Sequence, residues 1–257
     1  MTQKYLYEPC LNRIGDDWES RWNAILAIVN TWYGCELDLL QASNSVDGDS
    51  VARNYPHSVR QWIRFCNEVR DKVSASVLRE TFIVENINSP PALSLQELSE
   101  GNVCWAVLNE HLKLDDPPVC RLTGDCHGDY DDNLAFADRW EYEWQSDESV
   151  SEFAFSQVEF MLRGESGGCS VEVHEDSEKF IEEMKEFFQR ATWFAGTCVF
   201  ESPDIFATVR NRRLNIEVRG RIGLSELPDC VVRNINHGGA FHGILIPQRS
   251  KNDVQNS

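Results

Sequence analysis

Two segments near the start of the chain have apolar residues every three to four positions, the spacing of an amphipathic helix. The first is DDWESRWNAILAIVNTWY, residues 16–33, where two aspartates suit a helix N-terminus and the following Gly34 suits its end. The second is YPHSVRQWIRFCNEVRDKV, in which Pro56 suits the first turn. These patterns predict two leading helices with apolar faces directed to a core.

From Val77 onwards the pattern changes to short runs of β-branched and aromatic residues separated by turn residues. The runs are VLRETFIVENI, NVCWAVL, PPVCRL and FADRWEYEW, and they predict an antiparallel sheet. Within RWEYEW, three aromatic residues alternate with Glu141 and Glu143. This alternation predicts a strand with one aromatic and one acidic face.

The helical pattern returns after this sheet. Ser149 to Leu162 predicts a helix that opens with a capping box formed by Ser149 and Glu152, and Asp176 to Ala191 predicts another helix. CSVEV, TCVFES, IFATVR, LNIEVRG and GILIP predict strands, with a hairpin around Asn211-Arg212-Arg213.

These elements predict an α+β fold in which a helical lead packs on a mostly antiparallel, twisted sheet. We expect a single domain whose main part is residues 1–168. Residues 169–247 would be a C-terminal helix and strand extension on the same core, and residues 248–257 a disordered tail.

The chain has 257 residues and a net charge of −18, and this excess is local. Residues 97–186 hold 24 acidic and 6 basic residues, whereas the rest of the chain is balanced. Such a field disfavours nucleic acid and anionic membranes and favours basic protein partners, although a merely solvated acidic surface is the simplest alternative.

Nine cysteines are scattered without a C-x-x-C pair, which is typical of free buried thiols. The start, MTQKYLYEPC, lacks a signal-peptide pattern, and no apolar run reaches the length of a bilayer span. We therefore expect a soluble, cytoplasmic protein.

One sequence motif suggests a serine hydrolase. Residues 164–168, GESGG, fit G-x-S-x-G, and with Asp204 and His237 they would supply a Ser166 triad. A nucleophile elbow needs a strand before the serine and a helix after it, and the predicted order here is the reverse. The sequence favours a helix end and a turn.

The segment CRLTGDCHGDYDD is the best cluster of metal-ligand residue types. It contains Cys120, Cys126, His127, Asp129, Asp131 and Asp132. The cysteine spacing lacks a second pair for zinc, and DYDDN does not match a calcium loop. An acidic surface loop is favoured.

Asp115 and Asp116 are adjacent carboxylates followed by Pro117 and Pro118. Neighbouring side chains in an extended segment point to opposite faces, so they cannot flank one substrate bond. The prolines remove two backbone donors, which suits a rigid strand start. The sequence therefore predicts a strand start and not a catalytic pair.

The stretch NVCWAVLNEHLKLDDPPVCRL resembles the central signature of the SUKH superfamily, which includes yeast cell-wall assembly regulators and many bacterial immunity proteins. Trp105-Ala106-Val107 and Asp116-Pro117-Pro118-Val119 match in order and spacing. YPHSVRQW and WQSDESVSEFAFSQVEFML resemble the flanking helix openings. The resemblance covers about residues 50–165, and the turn at Ser99–Asn102 lacks the family's glutamine.

The resemblance implies an α+β fold and a binding module without catalytic residues, and we expect neither a cofactor nor a metal site. Structural positions of the motif would be Trp62, Trp105, Asp116, Pro117, Pro118, Trp140 and Trp144. Bacterial members look like antitoxins, often against nucleases, and fungal members look like signalling scaffolds.

A nuclease cleft is basic, so an acidic surface would suit an immunity protein that neutralises a nuclease-type toxin. An intracellular scaffold of the same fold is the alternative, with the basic hairpin Arg210–Arg213 as a second contact surface. The residues expected to bind or steer a basic protein partner are Asp115, Asp116, Asp125, Asp129, Asp131, Asp132, Glu141, Glu143 and Asp147.

Overall fold

The computed structural model of the chain describes residues 12–38, 55–72, 86–88, 91–97, 103–124, 140–165, 167–173, 177–219, 222–235 and 244–245. The chain divides into two compact units. The central unit is Gly15–Met161, and the terminal unit combines Met1–Ile14 with Leu162–Ser257.

Within the described ranges the helices are α1 Trp18–Tyr33, α2 His57–Lys72, α3 Val150–Glu165, α4 Ser177–Phe187 and α5 Asp229–Asn234. The strands are β1 Asn12–Arg13, β2 Asn86–Asn88, β3 Pro91–Glu97, β4 Val103–Leu108, β5 Pro118–Gly124, β6 Trp140–Ser149, β7 Gly167–Glu172, β8 Arg190–Phe194, β9 Thr197–Glu201, β10 Ile205–Arg210, β11 Arg213–Val218, β12 Ile222–Gly223 and β13 Ile244–Leu245.

Helix α1 begins and ends where its capping residues predict. The Asp17 side chain accepts hydrogen bonds from the backbone N–H and the hydroxyl of Ser20, both at 2.8 Å. These two bonds lower the pKa of Asp17. At the other end Gly34 has φ 63°, and its N–H donates to Asn30 O at 2.9 Å. Both leading helices predicted from the sequence are thus confirmed.

The central unit contains an antiparallel five-stranded sheet in the order β2-β3-β4-β5-β6. Its strands β4, β5 and β6 coincide with predicted runs. Strand β3 was not predicted, because two prolines stand at its start and its pairing with β4 shifts register between Ser94 and Gln96. A bulge of this kind breaks the simple alternation of inward and outward residues.

Large aromatic side chains hold the helices of the central unit on one face of its sheet. Trp62 of α2 is fully buried, 5.3 Å from Phe153 of α3 and 6.0 Å from Phe65 between ring centroids. Its Nε1 donates to Leu95 O at 3.2 Å, where the β3 register shifts. Trp105 of β4 lies 5.8 Å from Phe153. Burial of each such ring stabilises the fold by roughly 1.5–3 kcal/mol.

The terminal unit contains a six-stranded sheet in the order β1-β8-β9-β10-β11-β7. All its pairings are antiparallel except β1 with β8. The predicted hairpin between β10 and β11 is confirmed, with positive φ at Asn211 and Arg212. A second hairpin joins β8 to β9 through Ala195 and Gly196, also at positive φ.

One face of this six-stranded sheet packs against α4 and α5 in a hydrophobic core of its own. Its buried members come from residues 171–235 and include Phe180, Met184, Phe200, Ile216 and Val231. The α+β class predicted from the sequence is confirmed.

The predicted division at residue 168 stays a prediction. The two compact units divide the chain between Met161 and Leu162, and Met1–Ile14 is grouped with the C-terminal residues. Among its described residues, the C-terminal part contains the six-stranded sheet and the hydrophobic core given above. Strand β8 replaces the end of the predicted helix at 176–191, because RATWF pairs with β9 through a tight turn.

Candidate binding surface of the central unit

The carboxylate of Asp116 joins the start of β5 to the first turn of α3. Its Oδ2 accepts hydrogen bonds from the hydroxyls of Ser149, at 2.7 Å, and Ser151, at 2.5 Å. Its Oδ1 accepts the backbone N–H of Ser151 at 3.0 Å. Asp116 therefore acts as a helix cap supplied from a segment more than thirty residues away in sequence.

Arg21 of α1 adds a positive charge to the same cluster. Its guanidinium lies 3.4 Å from Asp116 Oδ2 and 3.2 Å from Glu152 Oε1, and it donates to Ser149 Oγ at 3.0 Å. Glu152 in turn accepts the backbone N–H of Ser149 at 2.9 Å, which is one of the two bonds of the predicted capping box, while the Ser149 hydroxyl donates to Asp116.

The side chain of Asp116 is only 13% exposed, and both its oxygens accept bonds from within the unit. A carboxylate in this position stabilises the junction of α1, β5 and α3. The structural role expected for Asp116 has a geometric basis here, whereas little of its charge is left at the surface for a partner.

Asp115 differs from its neighbour in exposure and in partners. Its side chain is 71% exposed, and its Oδ1 lies 3.1 Å from Nδ1 of His57. Its backbone carbonyl accepts the N–H of Ser58 at 3.0 Å. The two adjacent aspartates therefore contact different residues, as expected for neighbouring side chains in an extended segment.

Strand β6 presents exposed side chains at Glu141, Tyr142 and Glu143. Tyr142 is 47% exposed, so the aromatic side of this strand is partly solvated. The pairing with β5 shifts register at Glu143, whose carboxylate lies 3.0 Å from Arg121 Nε without hydrogen-bond alignment. Acidic and aromatic side chains are therefore exposed next to one another at and beside this bulge.

The remaining predicted residues divide into two groups. The backbones of Trp140, Trp144 and Asp147 lie in β6, and Trp62 and Trp105 lie in the core contacts given above. Four of the acids expected to bind or steer a basic partner lie outside the described residues, namely Asp125, Asp129, Asp131 and Asp132.

The two units differ greatly in charge. The central unit contains 27 acidic and 10 basic residues, a net charge of −17, and the terminal unit contains 15 and 14, a net charge of −1. The acidic excess of the chain thus belongs to the unit that carries the W-x-V and D-P-P-V motifs. A field of this sign attracts basic partners and repels phosphate backbones.

Cys120 is described from the predicted metal cluster, and its thiol is buried. It donates to Ala106 O at 3.3 Å, and burial raises the pKa of Cys120 to about 11. Cys126 and His127 lie outside the described residues. Across the described ranges, no three His, Cys, Asp or Glu side chains are grouped closely enough to hold a metal ion.

Two members of the hydrolase triad, Ser166 and His237, lie outside the described residues, and Asp204 is an exposed bend residue. The elements on either side of Ser166 are described: α3 precedes it and β7 follows. A nucleophile elbow has the opposite order of strand and helix.

Two residues of this surface were not predicted from sequence, namely Arg21 and His57. Arg21 is a charged residue within a predicted helix, and no local pattern distinguishes it from a solvated one. The capping-box spacing at Ser149 pointed to the helix start, but no sequence signal connected it with Asp116, 33 positions earlier.

Comparisons with family profiles, curated proteins and solved structures found no match for this chain. None of the helices in the described ranges combines the length and the apolar character that a membrane crossing requires.

Proposed function

We propose that this chain is a non-catalytic binding protein whose acidic central unit occupies a basic cleft on a protein partner. The partner class that fits best is a nuclease-type toxin, which would make the chain a cytoplasmic immunity protein. The observation that carries this proposal is the confinement of a net charge of −17 to the central unit.

The exposed groups of β6 support a specific contact within this field. Glu141 and Glu143 would speed encounter with a basic surface, and the partly exposed ring of Tyr142 would supply contact area. Tyrosine is common at the centre of interfaces because its ring buries well and its hydroxyl stays hydrogen-bonded. Asp115, 71% exposed, adds a further carboxylate on the same unit.

The proposal is tested by capture followed by kinetics. The tagged chain is used to isolate partners from a lysate of its source cell at low and at high salt. A captured basic protein is then purified, and its association with the wild-type chain is measured over a range of salt concentrations. We expect fast association at low salt that slows steeply as salt rises.

Two charge-reversal variants separate steering by β6 from bulk charge. Glu141→Lys with Glu143→Lys changes the net charge by the same amount as Glu172→Lys with Glu186→Lys, which alters exposed positions of the terminal unit. The β6 variant should slow association at low salt by about tenfold, and the terminal-unit variant much less. Equal effects of the two variants would remove β6 from the proposal.

An intracellular scaffold of the same fold is the second candidate. The observation that favours it is the β10–β11 hairpin of the terminal unit, which presents Arg210, Asn211, Arg212 and Arg213 as exposed residues. A scaffold would capture several partners of moderate affinity, and substitution of the hairpin arginines would release some of them. One high-affinity basic partner favours the immunity function instead.

A further inference from the structure

His57 is the first residue of α2, and it contacts residues from two other segments of the central unit. Its ring stacks on the indole of Trp18, the first residue of α1, with centroids 5.2 Å apart and planes inclined by 15°. Its Nδ1 lies 3.1 Å from Oδ1 of Asp115, just before β5. Segments that are 39 and 58 positions from His57 in sequence therefore meet at one imidazole.

We propose that Trp18, His57 and Asp115 form a pH-sensitive clasp that tightens when the imidazole is protonated. A protonated ring carries a positive charge and donates from both nitrogens. It therefore gains an ion pair with Asp115 and a cation–π contact with Trp18. Histidine suits such a switch, because it is the side chain that changes charge nearest to neutral pH.

The three segments also carry other charged groups close to the clasp. Asp116 is bonded to Ser149, Ser151 and Arg21, and it therefore contributes to the α3 cap. The other charged residues within three positions of Trp18, His57 or Asp115 are Asp16, Asp17, Glu19, Arg21, Arg60 and Lys113. Asp115 is the acid whose carboxylate is within bonding distance of the imidazole.

The clasp is built from partly exposed groups, with His57 34% and Asp115 71% exposed, so solvent screening keeps each contact weak. Protonation of His57 should therefore strengthen the contact between α2 and the loop before β5 without a large change in the stability of the whole protein. The backbone N–H of Ser58, next to His57, donates to the carbonyl of Asp115 at 3.0 Å. This hydrogen bond opens when the loop before β5 separates from α2, so it reports directly on the clasp. The inference does not depend on the binding role proposed above.

The test is amide hydrogen exchange of Ser58 in the full chain near pH 5.5 and near pH 8. The comparison uses wild type, His57→Gln, Asp115→Asn and the double variant, and each variant is compared with wild type at the same pH. We expect each single change to lower Ser58 protection by about two- to fivefold at the lower pH, with no further loss in the double variant. Near pH 8 the differences should disappear.

Two further variants make the result specific. His57→Phe retains a ring against Trp18 and cannot be protonated, so its Ser58 protection relative to wild type should fall only in acid. Glu110→Gln alters a second histidine–acid pair among the described residues of this unit, in which Glu110 lies 3.6 Å from His111, and should leave Ser58 protection unchanged. Effects of His57→Gln and Asp115→Asn that are the same at both pH values, or that simply add, would overturn the clasp.

Discussion

A single carboxylate, that of Asp116, accepts bonds from two hydroxyls and a backbone N–H and pairs with Arg21. Its removal leaves a mostly buried guanidinium and an uncapped α3. We expect Asp116→Ala to lower the free energy of unfolding by about 3 kcal/mol. Denaturant unfolding followed by circular dichroism measures the loss.

Asp115→Ala is the matched control for this change, since it removes an adjacent but exposed carboxylate. At neutral pH its cost should stay below about 1 kcal/mol. A similar cost for the two aspartates would contradict the assignment of Asp116 as the cap.

Glu201 of β9 gives the terminal unit a pH-dependent stability. Burial raises the pKa of Glu201, and Arg190, 3.4 Å away, offsets this only in part. The folded state therefore holds the proton more tightly than the unfolded chain, so this group's stability is present in acid and is lost as pH rises through the raised pKa.

We expect Glu201→Gln to reduce the loss of stability that accompanies rising pH. The variant should therefore be more stable than wild type at neutral pH. Thermal unfolding at several pH values between about 4 and 8 measures the effect. Glu172→Gln, at an exposed position of the same sheet, is the control. It should leave the dependence of the unfolding temperature on pH unchanged. A Glu201→Gln variant that is less stable than wild type at every pH would show that the charged form makes a net favourable contact.

At the scale of the elements, the C-terminal end of α1 is a place where backbone conformation can be tested separately from side-chain packing. Gly34 has φ 63°, and a Cβ added there would meet no atom within 4 Å. Gly34→Ala should therefore lower the free energy of unfolding by about 1 kcal/mol, because alanine is strained in the left-handed backbone conformation. Gly34→Asn should cost less, because asparagine tolerates the left-handed region. Equal unfolding midpoints for alanine and glycine would contradict this reason for the helix end.

In the molecule as a whole, the concentration of charge in one unit opposes the compact state of that unit through self-repulsion. Added salt screens this repulsion. We expect the urea midpoint to rise between about 20 and 200 mM sodium chloride, and potassium chloride to give the same rise if screening is the cause. A midpoint that falls with salt would mean that ion pairs such as Arg21 with Asp116 outweigh the repulsion.

The helices α1 and α2, the strands β4, β5 and β6 and the β10–β11 hairpin could be predicted from local pattern alone. Each depends on side-chain spacing, caps or turn residues within one short segment, which the sequence contains directly. The buried role of Trp62 and the charge excess of the central part follow from the same kind of local information.

Tertiary structure alone decided which segments meet. Strands β3 and β8 form because neighbouring strands offer hydrogen bonds that outweigh prolines in one case and helical spacing in the other. The Asp116 cap and the Trp18–His57–Asp115 contacts join residues separated by 33 or more positions, and no local pattern encodes such a distance. The division into two units likewise depends on which side chains share a core, a property of packing and not of composition.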